Sequence, residues 1–361
     1  MLALAQELVA RGHHVTWLSQ PSVEQRAVAA GCQFTAFDRL VNYDARTTLE
    51  EQADLAMTAT TGAEIGGQLL AVVDDEHIDA VILDCNLAGA AAAVETLDLV
   101  SAVLLHSMYK TFTDVWLGEL WPFMAPAINA TRHLHGLDPA GSWADVFAGH
   151  DRLISVVPAS FDAPVAATPA TLRHFGFLVP TAPRTTVAAR FPGSDDGTVL
   201  VSLSTTYQHQ EELLAKIIGA LAGRPVRAIV TTADAVDPAN LSASSNVTIF
   251  NYLHHGLVLA DTDVLITHAG LGTVASGLSH GVPMVCVPLG RDQHLNAERV
   301  ADLGAGIALP TDVSSDRIGE ALDQVLADAS YRDSAREIAS VSLASGGAAA
   351  AVDDLESLLL A

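Results

Sequence analysis

Along this chain, short apolar runs bounded by turn residues alternate with stretches whose apolar positions recur every three or four residues. The first such stretch is Met1 to Arg11, where Leu4, Leu8 and Val9 mark one helical face and Gly12 supplies a C-terminal cap. His13 to Leu18 and Cys32 to Phe37 read as strands, Thr47 to Asp74 as a long helical region, and Ala80 to Leu83 as a strand ending at Asp84. A helix from Leu87 to about Leu97 leads to a strand at Val100 to Leu105, which ends in His106-Ser107. Met108 to His150 shows no clear period, and Leu153 to Val157 and His174 to Leu178 close this half as strands. Residues 179–197, rich in Pro, Gly, Thr and charge, read as a linker. Beyond it the alternation resumes: strands at Val199–Leu203, Val226–Thr231, Val247–Phe250, Val264–Thr267 and Met284–Pro288, and helices at Glu211–Leu221 and Thr273–Leu278. Three helices follow, at about Ser315–Asp328, Tyr331–Val341 and Ala348–Leu360. Buried strands alternating with helices predict parallel sheets, so the pattern predicts two doubly wound α/β halves, 1–178 and 198–361.

Composition narrows the function classes. A chain of 361 residues is long enough for two ordinary domains. Its 50% hydrophobic content with only 5% aromatics suits alanine-rich helices packed closely on sheets. A net charge of −24 and a pI near 4.7 argue against nucleic acid or an anionic membrane as partner. Cys32, Cys85 and Cys286 are far apart in apolar contexts, which reads as buried thiols in a reducing cytosol. The most apolar long stretch, Leu87 to His106, is interrupted by Glu95 and Asp98, and no signal peptide is visible. A cytoplasmic protein is expected.

The chemistry concentrates between Asp263 and Asn296. There a buried strand runs into His268-Ala269-Gly270-Leu271-Gly272-Thr273, and the glycines allow a tight turn and a close backbone approach to a ligand. The helix that follows presents free N–H groups and its positive dipole end, an anion site best suited to phosphate. His268 is placed to donate to a phosphate oxygen. After Gly281-Val282-Pro283 and the next strand, Asp292 and Gln293 offer side chains suited to sugar hydroxyls. Two other readings of the turn stand beside this one. Gly270, Gly272 and Ala275 fit the dinucleotide fingerprint G-x-G-x-x-A, although that fingerprint belongs on the first strand–helix turn of a domain. A turn kept only for packing would explain neither His268 nor Asp292-Gln293.

This set of motifs resembles the C-terminal signature of the UDP-glycosyltransferase superfamily, the inverting GT-B enzymes of the macrolide and natural-product type. The resemblance implies two Rossmann-like domains facing a cleft. It also implies metal-independent transfer of a sugar from a UDP- or TDP-sugar to a hydroxyl of a hydrophobic small acceptor, with no cofactor. By the same resemblance, Ser204 and Thr205 contact the donor diphosphate, and Tyr252 and Leu253 border the nucleobase. His268, Gly270, Gly272 and Thr273 hold the diphosphate, and Asp292 and Gln293 orient the sugar. Asp261-Thr262-Asp263 has the form of a metal-binding D-x-D, but it precedes its strand and reads as a polar strand entry. The aromatics of Met108 to His150 suit either the family's acceptor pocket or a helical cap over the core.

In the family a first strand ends in a loop carrying the catalytic histidine, and a helix follows. This chain opens on that helix, so the loop has no counterpart in it; His13 and His14 read as surface residues in a turn. Asp84 matches the aspartate that orients the family base, and equally suits a helix N-cap. His106 is either a substitute base or part of the acceptor-pocket wall. The absent loop is compatible with a start placed too late, a shortened chain, or a chain that binds donor without efficient transfer. The last would make it a non-catalytic nucleotide-sugar-binding partner of another glycosyltransferase. An epimerase or hydrolase on the same fold is a third reading. A homodimer is compatible with all of them.

Overall fold

The computed structural model describes residues 1–37, 48, 51, 54, 57, 60–113, 116–180, 197–206, 208–233 and 235–361. Most of the expected linker and part of the expected 47–74 helical region lie outside these residues. The chain divides into two compact units: most of Met1–Pro180 together with Ala344–Ala361, and a second that runs from Thr181 to Leu343. The C-terminal segment therefore packs with the first unit, whereas the sequence pattern assigned everything from 198 onward to the second.

In the first unit, α1 (Leu2–Ala10) leads to β1 (Thr16–Ser19), α2 (Glu24–Ala29) and β2 (Gln33–Ala36), and β1 pairs with β2 in parallel. A second parallel ladder has the order β3 (Ala80–Asp84), β4 (Val100–Leu105), β5 (Arg152–Ser155) and β6 (Leu172–His174). Among the described residues the strands thus form two ladders, and α1 touches both. Leu4 and Leu8 pack with Ala102, Leu104 and Ile154, while Ala5 and Val9 pack with Trp17 and Phe34.

The period of two in β4 sorts its side chains. Ala102 and Leu104 face α1 and the last helix, α13 (Gly347–Leu359); Val103 and Leu105 face α3 (Ala63–Glu76) and α4 (Ala88–Val94). All of α4 is buried, and a Cβ on Gly89 would lie 2.2 Å from the Gly62 carbonyl oxygen. The alanines and glycines thus let two helices approach to backbone contact.

The stretch expected to be irregular is helical: α5 (Tyr109–Thr113), α6 (Trp116–Leu134) and α7 (Trp143–Phe147). Phe112, Trp143 and Phe147 are buried against one another, with ring centroids 5.9–6.3 Å apart. These aromatics are spent on the core, in keeping with the helical-cap alternative; Phe123 remains 75% exposed. Arg132 is buried and makes two bonds to Glu95, at 2.6 and 3.2 Å, and one to the Asp138 carbonyl at 2.8 Å. α13 is held to this unit by Arg11–Asp353 and Arg152–Asp354 ion pairs.

The second unit is a six-stranded parallel sheet of order β12-β11-β10-β7-β8-β9. Its strands are β7 (Thr198–Ser202), β8 (Arg227–Thr231), β9 (Val247–Phe250), β10 (Val264–Thr267), β11 (Met284–Cys286) and β12 (Gly306–Ala308). On one face, α8 (Glu211–Leu221) and α11 (Ser315–Ala327) cover Val199, Val201, Ala228, Val230, Val264, Ile266 and Val285. On the other, α9 (Leu271–Ser279) packs so closely that a Cβ on Gly277 would meet Met284 Cε at 2.5 Å and Leu265 Cδ2 at 2.8 Å. A polar helix, α10 (Gln293–Asp302), precedes β12, and α12 (Ala329–Ala344) follows α11.

Candidate functional site

The strand order of the second unit reverses at its first strand. From β7 the chain moves outward through β8 and β9, then returns to β10 on the other side. A crevice for a ligand forms at the carboxyl ends of the strands at such a switch point. The β7 end carries Ser204-Thr205-Thr206, and the β10 end carries His268-Ala269-Gly270. All strands are parallel, so the Asn251–His255 turn and the Arg291–Gln293 tip share that edge. Among the described residues, four of five non-glycine residues with positive φ lie in loops at this edge: His209, Ala233, Ala269 and Arg291. Left-handed backbone with a side chain is strained and is retained where the surroundings or a ligand demand it.

His268 is buried, and its ring lies over Gly270: a Cβ there would sit 2.6 Å from the imidazole Nε2. Gly270 caps α9 with no side chain satisfying the first N–H groups, and Gly272 faces open space. Burial pushes the His268 pKa down to about 4, against the opposing pull of the Ser202 backbone and Asp292, so the ring is neutral at pH 7. Its Nδ1 is buried without a hydrogen-bond partner. A neutral imidazole at a helix N-terminus can donate a hydrogen bond to an anion and brings no charge of its own.

Sequence reasoning missed the network that holds this edge together. Ser204 Oγ lies 3.1 Å from Thr206 Oγ1 and accepts from Gln208 Nε2 at 2.6 Å. Buried Gln210 donates to the Ser204 carbonyl at 3.0 Å. Gln293 Nε2 donates to Gln208 Oε1 at 3.0 Å, and Arg291 Nη1 to Thr206 Oγ1 at 3.2 Å. Asn296, fully buried, donates to the Ala269 carbonyl at 3.0 Å and to Asp292 Oδ2 at 3.2 Å. Gln293 is also buried, and its Oε1 accepts the backbone N–H groups of Leu289 and Gly290 at 2.8 and 3.1 Å. Its amide thereby shapes the loop, and Asp292 is half-buried at the tip. Thr205 is exposed, and Thr273 is half-buried one turn into α9. At the β9 end, Tyr252 is 64% exposed and Leu253 half-buried. His255 Nε2 lies 3.4 Å from Thr231 Oγ1, and burial next to His254 takes its pKa to about 4.

The fingerprint glycines follow β10, whereas the first strand of this unit, β7, carries Ser-Thr-Thr. Asp292 caps α10 and does not end a strand. Both placements weigh against a dinucleotide. In the D-x-D stretch, Asp263 accepts from the Thr198 N–H at 2.8 Å and from Arg332 at 3.0 Å at the amino end of the sheet.

The first unit brings Asp84 and His106 together at the carboxyl ends of neighbouring strands β3 and β4. His106 Nδ1 donates to Asp84 Oδ2 at 3.0 Å, and the Asn86 N–H donates to Asp84 Oδ1 at 2.9 Å. The Asp84 charge raises the His106 pKa well above 6.5. Burial works to raise that of Asp84, yet the charge and hydrogen bond of His106 hold it below the usual carboxylate range. His106 Nε2 lies 3.4 Å from Asn86 Nδ2, and the side chain is 44% exposed. Cys85 Sγ is 3.4 Å from His106 Nδ1, which makes Asp84, Cys85 and His106 a group of three metal-ligand types among the described residues. Burial raises the Cys85 thiol, and His106 Nδ1 is turned to Asp84, so the geometry is that of an Asp–His dyad.

Residues 216–358 match the family of erythromycin biosynthesis protein CIII-like C-terminal domains. Demethyllactenocin mycarosyltransferase from Streptomyces fradiae is 26% identical over 99% of this chain and 83% of its own length. This chain's relatives over nearly its whole length include natural-product glycosyltransferases, and its fold is that of the GT-B glycosyltransferases. Its fold matches that of the calicheamicin glycosyltransferase CalG4 with a TM-score of 0.79 at 23% identity, over 99% of this chain and 94% of the other. It matches the spinosyn rhamnosyltransferase SpnG, solved with thymidine diphosphate, with a TM-score of 0.78 at 18% identity, over 99% of this chain and 95% of the other. The GT-B fold accounts for two parallel-sheet units, each with chemistry at its carboxyl edge. Among the described residues no helix is long and apolar enough to cross a membrane.

Proposed function

We propose that this chain transfers a sugar from a nucleoside diphosphate sugar to a hydroxyl of an apolar small molecule, with inversion at the anomeric carbon. The observation that carries the donor half is the junction of β7 and β10, where the N-terminus of α9, neutral His268 and the Ser204–Thr206 turn converge. The helix N–H groups and His268 would stabilise the charge that builds on the leaving diphosphate, the place where preorganised donors contribute most to a rate. Asp292 would receive the sugar hydroxyls, with Gln293 and Asn296 fixing the loop that carries it. Tyr252, exposed beyond β9, would border the base.

The Asp84–His106 dyad supports the acceptor half. The acceptor O–H proton would pass to His106 Nε2, the acceptor oxygen would bond the anomeric carbon, and the bond to the diphosphate oxygen would break. Asp84 would hold the imidazole in the tautomer with Nε2 free and stabilise its cation, as the triad aspartate does in serine proteases. With its three thiols unpaired, the chain suits a reducing compartment, and we place it in the cytoplasm.

Calorimetry with UDP and dTDP on the parent and His268→Ala tests the donor half, and a panel of apolar alcohols with UDP- and dTDP-sugars tests transfer. Binding that His268→Ala abolishes, with transfer that His106→Ala abolishes, is the expected pair. Binding without transfer across the panel would favour the non-catalytic partner; no binding at all would refute the donor site.

A further inference from the structure

A diphosphate brings two to three negative charges to a chain whose formal net charge is already −24. A cation close to the phosphates would offset that charge, and His268 is neutral. The loop between β11 and α10 provides one. Arg291 is exposed at its tip, with φ 57. A glycine would take that backbone without strain, and Gly290 next to it does not have positive φ. The chain thus tolerates a strained residue so as to put a guanidinium here. Its Nη1 donates to Thr206 Oγ1 at 3.2 Å, 85 positions away in the β7 turn. That hydroxyl is within 3.1 Å of Ser204 Oγ, and the Arg291 charge reaches His268. Two loops of the switch-point crevice, those after β7 and β11, therefore meet at one cation. Of the other basic side chains of this unit, Arg224 is paired with Asp323 and Arg332 with Asp263, away from this edge.

We propose that Arg291 is the cationic ligand of the donor diphosphate, held on Thr206 Oγ1 in this structure and positioned to transfer its donors to phosphate oxygens. The planar fork of a guanidinium matches two phosphate oxygens at once, which a lysine does not. The inference rests on the donor site proposed above and adds to it the residue that supplies its charge.

Titration calorimetry of the parent, Arg291→Gly, Arg291→Gln and Arg291→Lys with UDP and dTDP, and competition NMR with uridine and thymidine, test it. Arg291→Gly relieves the backbone strain, so its melting temperature should equal or exceed that of the parent. Its affinity for the diphosphates should fall roughly ten- to a hundredfold, as for loss of hydrogen bonds to a charged group. Nucleoside binding should change far less, and Arg291→Lys should keep more of the diphosphate affinity than Arg291→Gln. Unchanged diphosphate affinity in a folded Arg291→Gly, or equal losses for nucleoside and diphosphate, would overturn the assignment while leaving the donor site intact. If Arg291→Gly melts early, the lysine and glutamine variants decide: equal affinities overturn the assignment. A parent that binds neither diphosphate overturns the donor site itself, and this inference with it.

Discussion

His268 makes the second unit sensitive to acid in a way that can be isolated. In the unfolded chain its imidazole takes up a proton at about pH 6.5, whereas in the fold it resists protonation down to about 4. Between those values the unfolded state binds more protons, so stability is lost as pH falls through this window and the loss levels off below it. The gap of about 2.5 units, at about 1.36 kcal/mol per unit, corresponds to roughly 3 kcal/mol. His268→Gln keeps a polar side chain and removes the titration, so the parent should lose about 3 kcal/mol relative to this variant on going from pH 7 to pH 4. His255, with its own pKa near 4, adds acid sensitivity of the same sign, but it is common to both proteins and cancels in the difference. The choice of probe matters, because Trp17, Trp116, Trp121 and Trp143 all fall before residue 181. Tryptophan fluorescence is blind to the second unit. Urea unfolding followed by circular dichroism, with hydrogen exchange of peptides from β7 and β10, reports on it. A stability difference between the two proteins that stays constant from pH 7 to pH 4 would refute the buried, neutral imidazole. The same neutrality predicts that affinity for a nucleoside diphosphate sugar, whose diphosphate does not titrate in this range, is nearly flat between pH 6 and 8.

Two further outcomes follow from the first unit. Because Asp84 raises the pKa of His106, and a base must be unprotonated, kcat/KM should rise with pH along a limb above 6.5. Asp84→Asn should move that limb down towards 6.5 and lower the plateau roughly a hundredfold or more; a pH–rate profile whose limb does not move would exclude the dyad. Gly89→Ala would drive a methyl to within 2.2 Å of the Gly62 carbonyl oxygen and force α3 from α4. A loss of about 1–3 kcal/mol is expected from tryptophan-monitored urea melts, and an unchanged midpoint would show that the two helices separate freely.

Features decided by neighbours in sequence were legible; features decided by neighbours in space were not. β4, β9, β10 and α8 have the bounds that their hydrophobic periods predict, because burial on both faces writes itself into consecutive residues. Among the elements that escaped are α10 and β12. α10 is so polar that its buried positions include the amides Gln293 and Asn296 beside Ala297 and Val300, and β12 is three residues long. α6 escaped for another reason: Pro122 and Pro126 argue locally against a helix, yet tertiary packing of residues such as Ile128 retains one.

The site divides along the same line. The glycine turn, the helix start and His268 sit within six consecutive residues, and their chemistry can be read there. Arg291 and Gln208 meet their partners 85 positions away, and Asn296 reaches Ala269 across 27. No local pattern encodes such pairs. Gln293 is the complementary case: its identity fits a sugar ligand, and in the fold its oxygen accepts two backbone N–H groups while its nitrogen donates to Gln208. Residue type indicates what a side chain is able to do. Its hydrogen bonds in the fold show what holds it in place, and the bond to Thr206 is what brings Arg291 among the proposed donor contacts.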